Sequence, residues 1–525
     1  MKQQHFLELI NLDGITNVES ITLINNFRQI EKHGSYLYIM IKKYNLEKEI
    51  NQICSNKIQL QLWYLKQMEY RERLKVQMEK GIRRSKLSFD KNISILILMA
   101  ILRIREQEVS YSYLYIVVSY IVIKYLLEQF INLRQLDQLS VKQMPIHIEQ
   151  TLGITQKQFK RSQRFYYDKL SFEMYTKSIK TAIEIIVILC GVMPFIWERT
   201  VTFFKMDPNS EFQRGLAYIF MEFLRLKLID VPNNFYNTHV IEKRYDLSQI
   251  SFALQFSDLV IESALWVVFV PILLYSYLYV AELGGDYFFI AMQFFVLFMA
   301  IVSSLVYPNY IQPLFNEFEE LKETELKQAI SQLALRMNFP LEKILVMDGS
   351  KRSDHSNAYF FGMYSKRIVL YDTLINNLTN EEIVAVVAHE LGHWKYKHPY
   401  IKLFFFCIKI LITFYIFGFY RDSDVVFLSF GFKEKSIFIG SALFFSLFEP
   451  MNTLFQIFEL HLSRFFEYQA DIFASHHGLG SYLMSGLVKL FKQNSTNLMI
   501  DTVYQWYYNS HPSLFERLKY LNKLR

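Results

Sequence analysis

Five consecutive residues, His389-Glu390-Leu391-Gly392-His393, carry the first recognisable chemistry in this chain. On a helix, side chains four positions apart lie on one face. His389 and His393 can then bring two imidazole nitrogens to one ion at about 2.0–2.1 Å, the bond length zinc takes with histidine. Glu390 is placed to take a proton from an attacking water as general base. Zinc used in this way needs a third protein ligand and an open fourth position. The stretch "SRFFEYQADIFASHH" offers one. Glu467 and Asp471 again lie four apart, so Glu467 is the expected third ligand. Asp471 is then placed to hold a ligand imidazole by its other nitrogen or to pass protons. His476 and His477 are rival ligands, ranked lower because a continuing helix turns both off the face that the carboxylates share. Further on, "YYNSHPSLFERLKYL" holds His511 and Arg517. His511 is either a structural histidine or a donor to a developing oxyanion. Arg517 is either a surface charge or a partner for a buried carboxylate such as Asp471. One zinc ion per chain is the expected cofactor.

These residues need rigid elements to bring them together. "LTNEEIVAVVAHELGHWKYKH" reads as a helix whose start is marked by a capping box, Thr379 with Glu382. Ahead of it, "KILVMDGS" (343–350), "SNAYFFG" (356–362) and "KRIVLYDTLI" (366–375) read as strands, with Gly362 at a turn. By residue type alone, Asn357 suits a turn as well as any binding role.

The rest of the chain is greasy. Of 525 residues, 52% are apolar and 17% aromatic. Seven runs, near 111–131, 178–198, 212–232, 260–281, 287–307, 401–421 and 437–460, have membrane-spanning length. The run at 93–102 is too short to span. The expected fold is therefore an all-α polytopic membrane protein of seven spans, with a small α+β zinc-protease element in the loop between spans five and six. Arg214, Glu222, Arg225 and Lys227 interrupt the third run, and Glu449 and Glu459 lie in the last. Ionisable groups at such depth face a bundle interior or a wet cavity. The loop after the first span is rich in Lys and Arg, from Arg134 to Lys169, whereas "ELGGD" is acidic. Positive loops stay cytosolic, which puts residues 308–400 and the C-terminus in the cytosol. The expected division is an extension at 1–110, spans one to five at 111–307, a catalytic loop at 308–400, spans six and seven at 401–460, and a cytosolic segment at 461–525. A net charge of +7 fits lipid headgroups. No basic-aromatic stripe points to nucleic acid. Cys54, Cys190 and Cys407 are scattered and predict no disulfide framework. The N-terminus carries no apolar stretch with a cleavage site, so no cleaved signal peptide is expected.

Seven segments in order carry a resemblance: "FKRSQRFYYDKLSFEMY" (159–175), "VIEKRY" (240–245), "YPNYIQPLFNEFEEL" (307–321), "HSNAYFFG" (355–362), "VAHELGHWKYKH" (387–398), "FEYQADIFA" (466–474) and "SHPSLFERL" (510–518). From about Tyr111 to its end the chain resembles the type I CAAX prenyl endopeptidases, integral-membrane zinc metalloproteases that trim prenylated proteins. The resemblance implies a barrel of seven helices around a large water-filled chamber, closed on the cytosolic side by the zinc site. It implies His389, His393 and Glu467 as ligands and Glu390 as base. Asp471 matches a proton donor or a partner of a ligand. Asn357 matches the strand that would hold substrate backbone by strand addition. His511 and Arg517 match the C-terminal His-Pro and Arg positions. The implied partners are prenylated CAAX-protein C-termini and the lipid bilayer. The implied reaction is hydrolysis after the prenylated cysteine, in the endoplasmic reticulum membrane or the nuclear envelope. Two departures stand out: "YDLSQIS" replaces a Gly-Phe-Asn-like turn, and residues 1–110 have no counterpart. The competing readings are a membrane quality-control metalloprotease without prenyl specificity and a non-catalytic scaffold or clearance factor. The intact His389, Glu390, His393 and Glu467 speak against the second.

Overall fold

The structure, a computed structural model, describes residues 112–524 apart from 354, 363–365 and 495–496. The extension expected at 1–110 and the short apolar run at 93–102 lie outside the described residues. The chain is mostly helical, with one small sheet.

Helix α1 (Ser112–Leu139) buries Leu114, Val117, Val118, Val122 and Tyr125. After the short α2 (Ile146–Leu152), α3 (Gln156–Leu189) starts from a capping box of Thr155 and Gln158. The second expected span is not one straight helix. Gly191 adopts φ 64°, a left-handed conformation open to glycine, and α4 (Val192–Thr202) leaves at 65° to α3. The third expected span is a helix, α5 (Glu211–Tyr236), but its charged residues keep it below the apolarity of a spanning segment. Those charges are matched: Arg214 lies 4.2 Å over the Trp197 ring and donates to Glu434 at 3.1 Å, and Arg225 donates to Glu222 at 2.9 Å. Helices α6 (Phe252–Gly284) and α7 (Phe288–Val306) meet at Gly285, with φ 45° and ψ −123°. They fold back on each other. Tyr277, Val280 and Ala281 from one leg share a core with Phe288, Met292 and Phe295 from the other.

Next comes the small sheet. Strand β1 (Phe318–Glu320) precedes helix α8 (Glu325–Arg336), β2 (Leu341–Met347), β3 (Ala358–Phe361) and β4 (Lys366–Tyr371). The order is β1-β2-β4-β3, with β2 and β4 parallel and the two edge strands antiparallel to their neighbours. The third expected strand, 366–375, ends early. Asp372 accepts from the backbone N–H of Thr373 and Ser350 and opens helix α9 (Asp372–Asn377). Strand β1 and helix α8 add to the elements expected from sequence. Helix α8 buries Leu326, Ile330, Leu333 and Ala334, one stripe at helical spacing.

Helix α10 (Asn380–Lys395) follows, and its expected capping box is present. Residues Ile383 to His389 and Leu391 are all buried, so this helix is covered on nearly every side. Helices α11 (His398–Tyr420) and α12 (Asp424–Ser429) lead to α13 (Ile437–His476). At 40 residues, α13 is about 60 Å long. It runs unbroken from the last expected span through Glu467 and Asp471. Helices α14 (Gly480–Gln493), α15 (Thr502–Tyr508) and α16 (Leu514–Lys523) complete the described chain.

Four helical runs are long and apolar enough to cross a membrane: Ser112–Leu139, Phe252–Leu314, His398–Tyr420 and Ile437–His476. The second holds both legs of the α6–α7 hairpin. The bent pair α3–α4 makes a fifth if counted as one span. Between α1, α3 and α13 lies a cavity of about 420 Å³ lined by Tyr120, Lys124, Glu128, Lys177, Glu184 and Glu449. Lys124 donates to Glu449 at 2.7 Å. Lys177 likewise pairs with Glu128, so four of the charged groups around this cavity are matched.

Glu382 does more than cap α10. It is buried, and it accepts from Lys489 Nζ and Ser485 Oγ of α14, each at 2.7 Å. Burial works against its charged form, but the donors from Lys489, Ser485 and Thr379 outweigh it and hold the carboxyl below its ordinary value. A depressed folded pKa means that this contribution to stability is full above the ordinary carboxylate range. It is lost as pH falls towards the folded value. We expect Glu382→Ala to cost on the order of 1.5–3 kcal/mol at pH 7. The gap between variant and parent should narrow in melts at progressively lower pH, and a gap that is flat with pH would contradict the charge-based account.

Candidate metal centre

Helix α10 presents His389 and His393 to α13, its most extensive helix partner. The approach is close because Gly392 lies between them. A Cβ at Gly392 would stand 3.0 Å from Ala470 Cα, 3.1 Å from Phe473 Cβ and 3.3 Å from the Ala470 carbonyl oxygen. Two of those atoms are backbone and cannot swing aside. We expect Gly392→Ala to push α10 off α13 at a cost of about 1–3 kcal/mol. A lower melting point with weakened metal uptake is the expected signature; parent values for both would show that the helices tolerate the methyl.

Across this contact, His389 Nε2 lies 3.3 Å from His393 Nε2. Glu467 places Oε2 3.4 Å from His389 Nε2 and Oε1 3.4 Å from His393 Nε2. The three side chains form one group able to hold a metal ion. The spacing is informative. Four ligands at about 2.0–2.1 Å on a tetrahedron are about 3.3–3.4 Å apart. Two imidazoles and a carboxylate with these separations fit one face of such a tetrahedron.

Behind the group, Asp471 is fully buried and accepts from His389 Nδ1 at 2.9 Å. Arg517 grips the same carboxylate with Nε at 2.9 Å and Nη2 at 2.6 Å, and its Nη1 stands 3.6 Å from Glu467. Asp471 therefore sits behind the His389 ring with both oxygens engaged. Glu390 is half-buried on α10. Burial pushes its carboxyl above the ordinary value, against the opposing pull of His389 and His393. His511 is exposed; its Nε2 lies 3.4 Å from Glu467 Oε1 without joining the group. His477 bonds back to the Phe473 carbonyl at 2.7 Å, and His476 is exposed; neither rival belongs to the group. Asn357 is exposed at the start of edge strand β3, which packs on α10. Its side-chain oxygen accepts from Ala358 N–H at 2.9 Å, and its carbonyl accepts from Tyr371 N–H at 3.1 Å. Among the described residues no hydrogen bond or ion pair joins Asn357 to the histidines or Glu467. His398, given no role by the sequence reading, lies 2.9 Å from His393 through the two Nδ1 atoms.

Known proteins share this architecture. Residues 135–317 match the family described as CAAX prenyl protease N-terminal, five membrane helices, and residues 320–525 match peptidase family M48. The chain belongs to peptidase family M48. This M48 peptidase is 35% identical to the CAAX prenyl protease 1 homolog of Arabidopsis thaliana, over 77% of this chain and 96% of the relative. It is 31% identical to CAAX prenyl protease 1 of Saccharomyces cerevisiae, over 78% and 94%. The crystal structure of S. mikatae Ste24p superposes with a TM-score of 0.72 at 31% identity, covering 78% of this chain and 98% of that one. The resemblance read from the motifs holds. The protein is a metalloendopeptidase of the CAAX-processing group and a multi-pass membrane protein with a Ste24p-like fold. Its family implies a metal, and the His389–His393–Glu467 group has the donor set and spacing to take one.

Proposed function

We propose that this M48 peptidase hydrolyses the peptide bond after the prenylated cysteine of CAAX proteins and releases the C-terminal tripeptide. One observation carries the reading: the His389–His393–Glu467 triangle is built partly on α13, a helix that also has the length and apolarity to cross the membrane. Such a site is suited to a substrate that arrives on a lipid anchor, since a single chain gives marginal membrane binding and keeps the protein near the bilayer. The relatives' names point to the same substrate class.

In this reading His389, His393 and Glu467 hold one zinc ion, which when bound polarises the scissile carbonyl and makes water more acidic. Glu390 takes the proton of the attacking water and returns it to the departing amine nitrogen. Asp471, itself fixed by Arg517, keeps the His389 proton on Nδ1 and leaves Nε2 free as a donor atom. His511, exposed beside Glu467, donates to the oxygen that gains charge. The substrate backbone adds to the free edge of β3 next to Asn357. Its prenyl group enters a water-filled chamber enclosed by seven spans, with the bent α3–α4 pair and charged α5 among them. The zinc element lies in the cytosolic loop between spans five and six. The paired charges around the 420 Å³ cavity support a wet interior. We place the enzyme in the endoplasmic reticulum membrane, or the nuclear envelope continuous with it.

The test is cleavage of a farnesylated CAAX peptide by the purified, detergent-solubilised protein, beside its unprenylated counterpart. Chelator-sensitive release of the tripeptide from the farnesylated peptide alone is the expected result. Metal-dependent cleavage of both peptides would replace this reading with a quality-control protease. Cleavage of neither, with zinc bound, would replace it with a non-catalytic scaffold.

A further inference from the structure

His398 is a buried side chain, 2% exposed, with both ring nitrogens engaged. Its Nδ1 lies 2.9 Å from His393 Nδ1, and its Nε2 lies 2.9 Å from Gln469 Oε1. The ring stacks on Phe466, with centroids 4.0 Å apart and planes 9° apart, and Tyr396 stacks 5.8 Å away. The backbone is arranged for this contact. Helix α10 ends at Lys395, Lys397 takes the left-handed φ of 58°, and α11 begins at His398 with Pro399 in its first turn. A non-glycine residue in that conformation costs roughly 1–2 kcal/mol. The turn swings His398 back onto the helix that has just ended.

The protons on this chain run in one direction. A neutral imidazole carries one N–H. If His393 offers Nε2 to a metal, its proton is on Nδ1 and is donated to His398 Nδ1. His398 must then carry its own proton on Nε2, where the Gln469 carbonyl oxygen accepts it. The opposite order puts a proton on His398 Nδ1, facing the proton on His393. We propose that His398 and Gln469 are positioning residues, a relay that locks His393 as an Nε2 ligand. Asp471 does the same for His389 on the other side of the centre. Helix α13 thus supplies Glu467 to the centre, Asp471 behind one histidine and Gln469 behind the other. The two supports differ in charge: His389 leans on a carboxylate, and His393 on a neutral ring. The relay rests on the reading of His393 as a metal ligand.

The test uses the full-length protein in detergent. Zinc affinity is measured by chelator competition, and coordination by the visible absorption of the cobalt-loaded form. His398→Phe keeps the stack on Phe466 and removes the acceptor. We expect it to bind zinc about 10–100-fold more weakly and to shift the cobalt spectrum. Gln469→Leu, which leaves the His398 ring intact, should shift both readouts in the same direction, and Gln469→Glu should restore them. Each of the first two variants leaves a buried polar group without its partner, so the metal-free proteins should melt somewhat below the parent, and zinc affinity is read at a temperature where all remain folded. Parent-like zinc affinity and cobalt absorption in both His398→Phe and Gln469→Leu would overturn the relay. Failure of the ligand reading looks different: His393→Ala would then bind zinc as the parent does, and the relay would fall with it.

Discussion

Glu390→Gln should lower kcat by about 10²–10⁴-fold, with metal content and melting point unchanged. Glutamine keeps the shape of the side chain and removes only its capacity to take a proton. The variant should fold because Glu390 holds nothing else in place. Among the described residues it makes no hydrogen bond or ion pair, and it is not one of the three metal-fitting side chains. Its carboxyl is pushed up by burial, so the folded protein already disfavours the charge that the substitution deletes. At pH 7 the change should therefore be neutral or mildly stabilising. KM should move little, since proton transfer belongs to the transition state and not to substrate binding. Steady-state kinetics, metal analysis and a thermal melt on one preparation decide the matter. A near-parent rate would place the base elsewhere, while a rate lost together with the metal would show that Glu390 supports the ligands instead.

What the sequence could disclose depended on range. Spacing rules act within one helix, and there they reach far: His389 with His393, and Glu467 with Asp471, were legible because each pair is four apart. The capping box of Thr379 and Glu382 was legible from its own three-residue spacing. Contacts between helices were not. Nothing in the spacing assigns Arg517 to Asp471 rather than to solvent, since the two stand 46 positions apart with two further helices between them. His398 went unread because it stands five after His393, off the ligand face of a continuous helix. The helix is not continuous, and Pro399 was the available signal, because proline favours the first turn of a new helix. Span counting met a different limit. Hydropathy over 178–198 is blind to direction, so the bend at Gly191 was invisible to it. The charges that interrupt 212–232 each have a partner in the structure: Arg214 with Glu434, Arg225 with Glu222 and Lys227 with Glu262. Strand β1 is three residues long and exposed on two of them, too short to show alternation.

Arg517→Met should be among the most damaging single substitutions in the described chain. The guanidinium makes two hydrogen bonds to the fully buried Asp471 and lies 3.6 Å from Glu467. Burial disfavours its charge, yet Asp471 and Glu467 outweigh that and hold it protonated. Methionine fills much of the same space and leaves Asp471 charged with one donor, His389. Breaking a buried pair from one side costs about 3–5 kcal/mol, because the remaining charge has lost its solvent and its partner. Arg517→Lys should fall between, since an ammonium cannot reproduce the planar two-point grip. Lys519→Met, the same charge change at an exposed position on the same helix, serves as control and should cost little. The decisive comparison is the double variant Arg517→Met with Asp471→Asn. If the damage comes from an orphaned carboxylate, neutralising Asp471 should recover part of the melting point lost by Arg517→Met alone. Metal affinity should not recover with it, because asparagine is a weaker acceptor for the His389 Nδ1 proton. Recovery of neither would mean that Arg517 acts mainly by packing. Recovery of both would mean that the charge on Asp471 is dispensable to the centre. On the proposed reading stability and metal binding separate at this pair: Arg517 would compensate a charge that the fold could do without, a charge kept so that His389 presents Nε2.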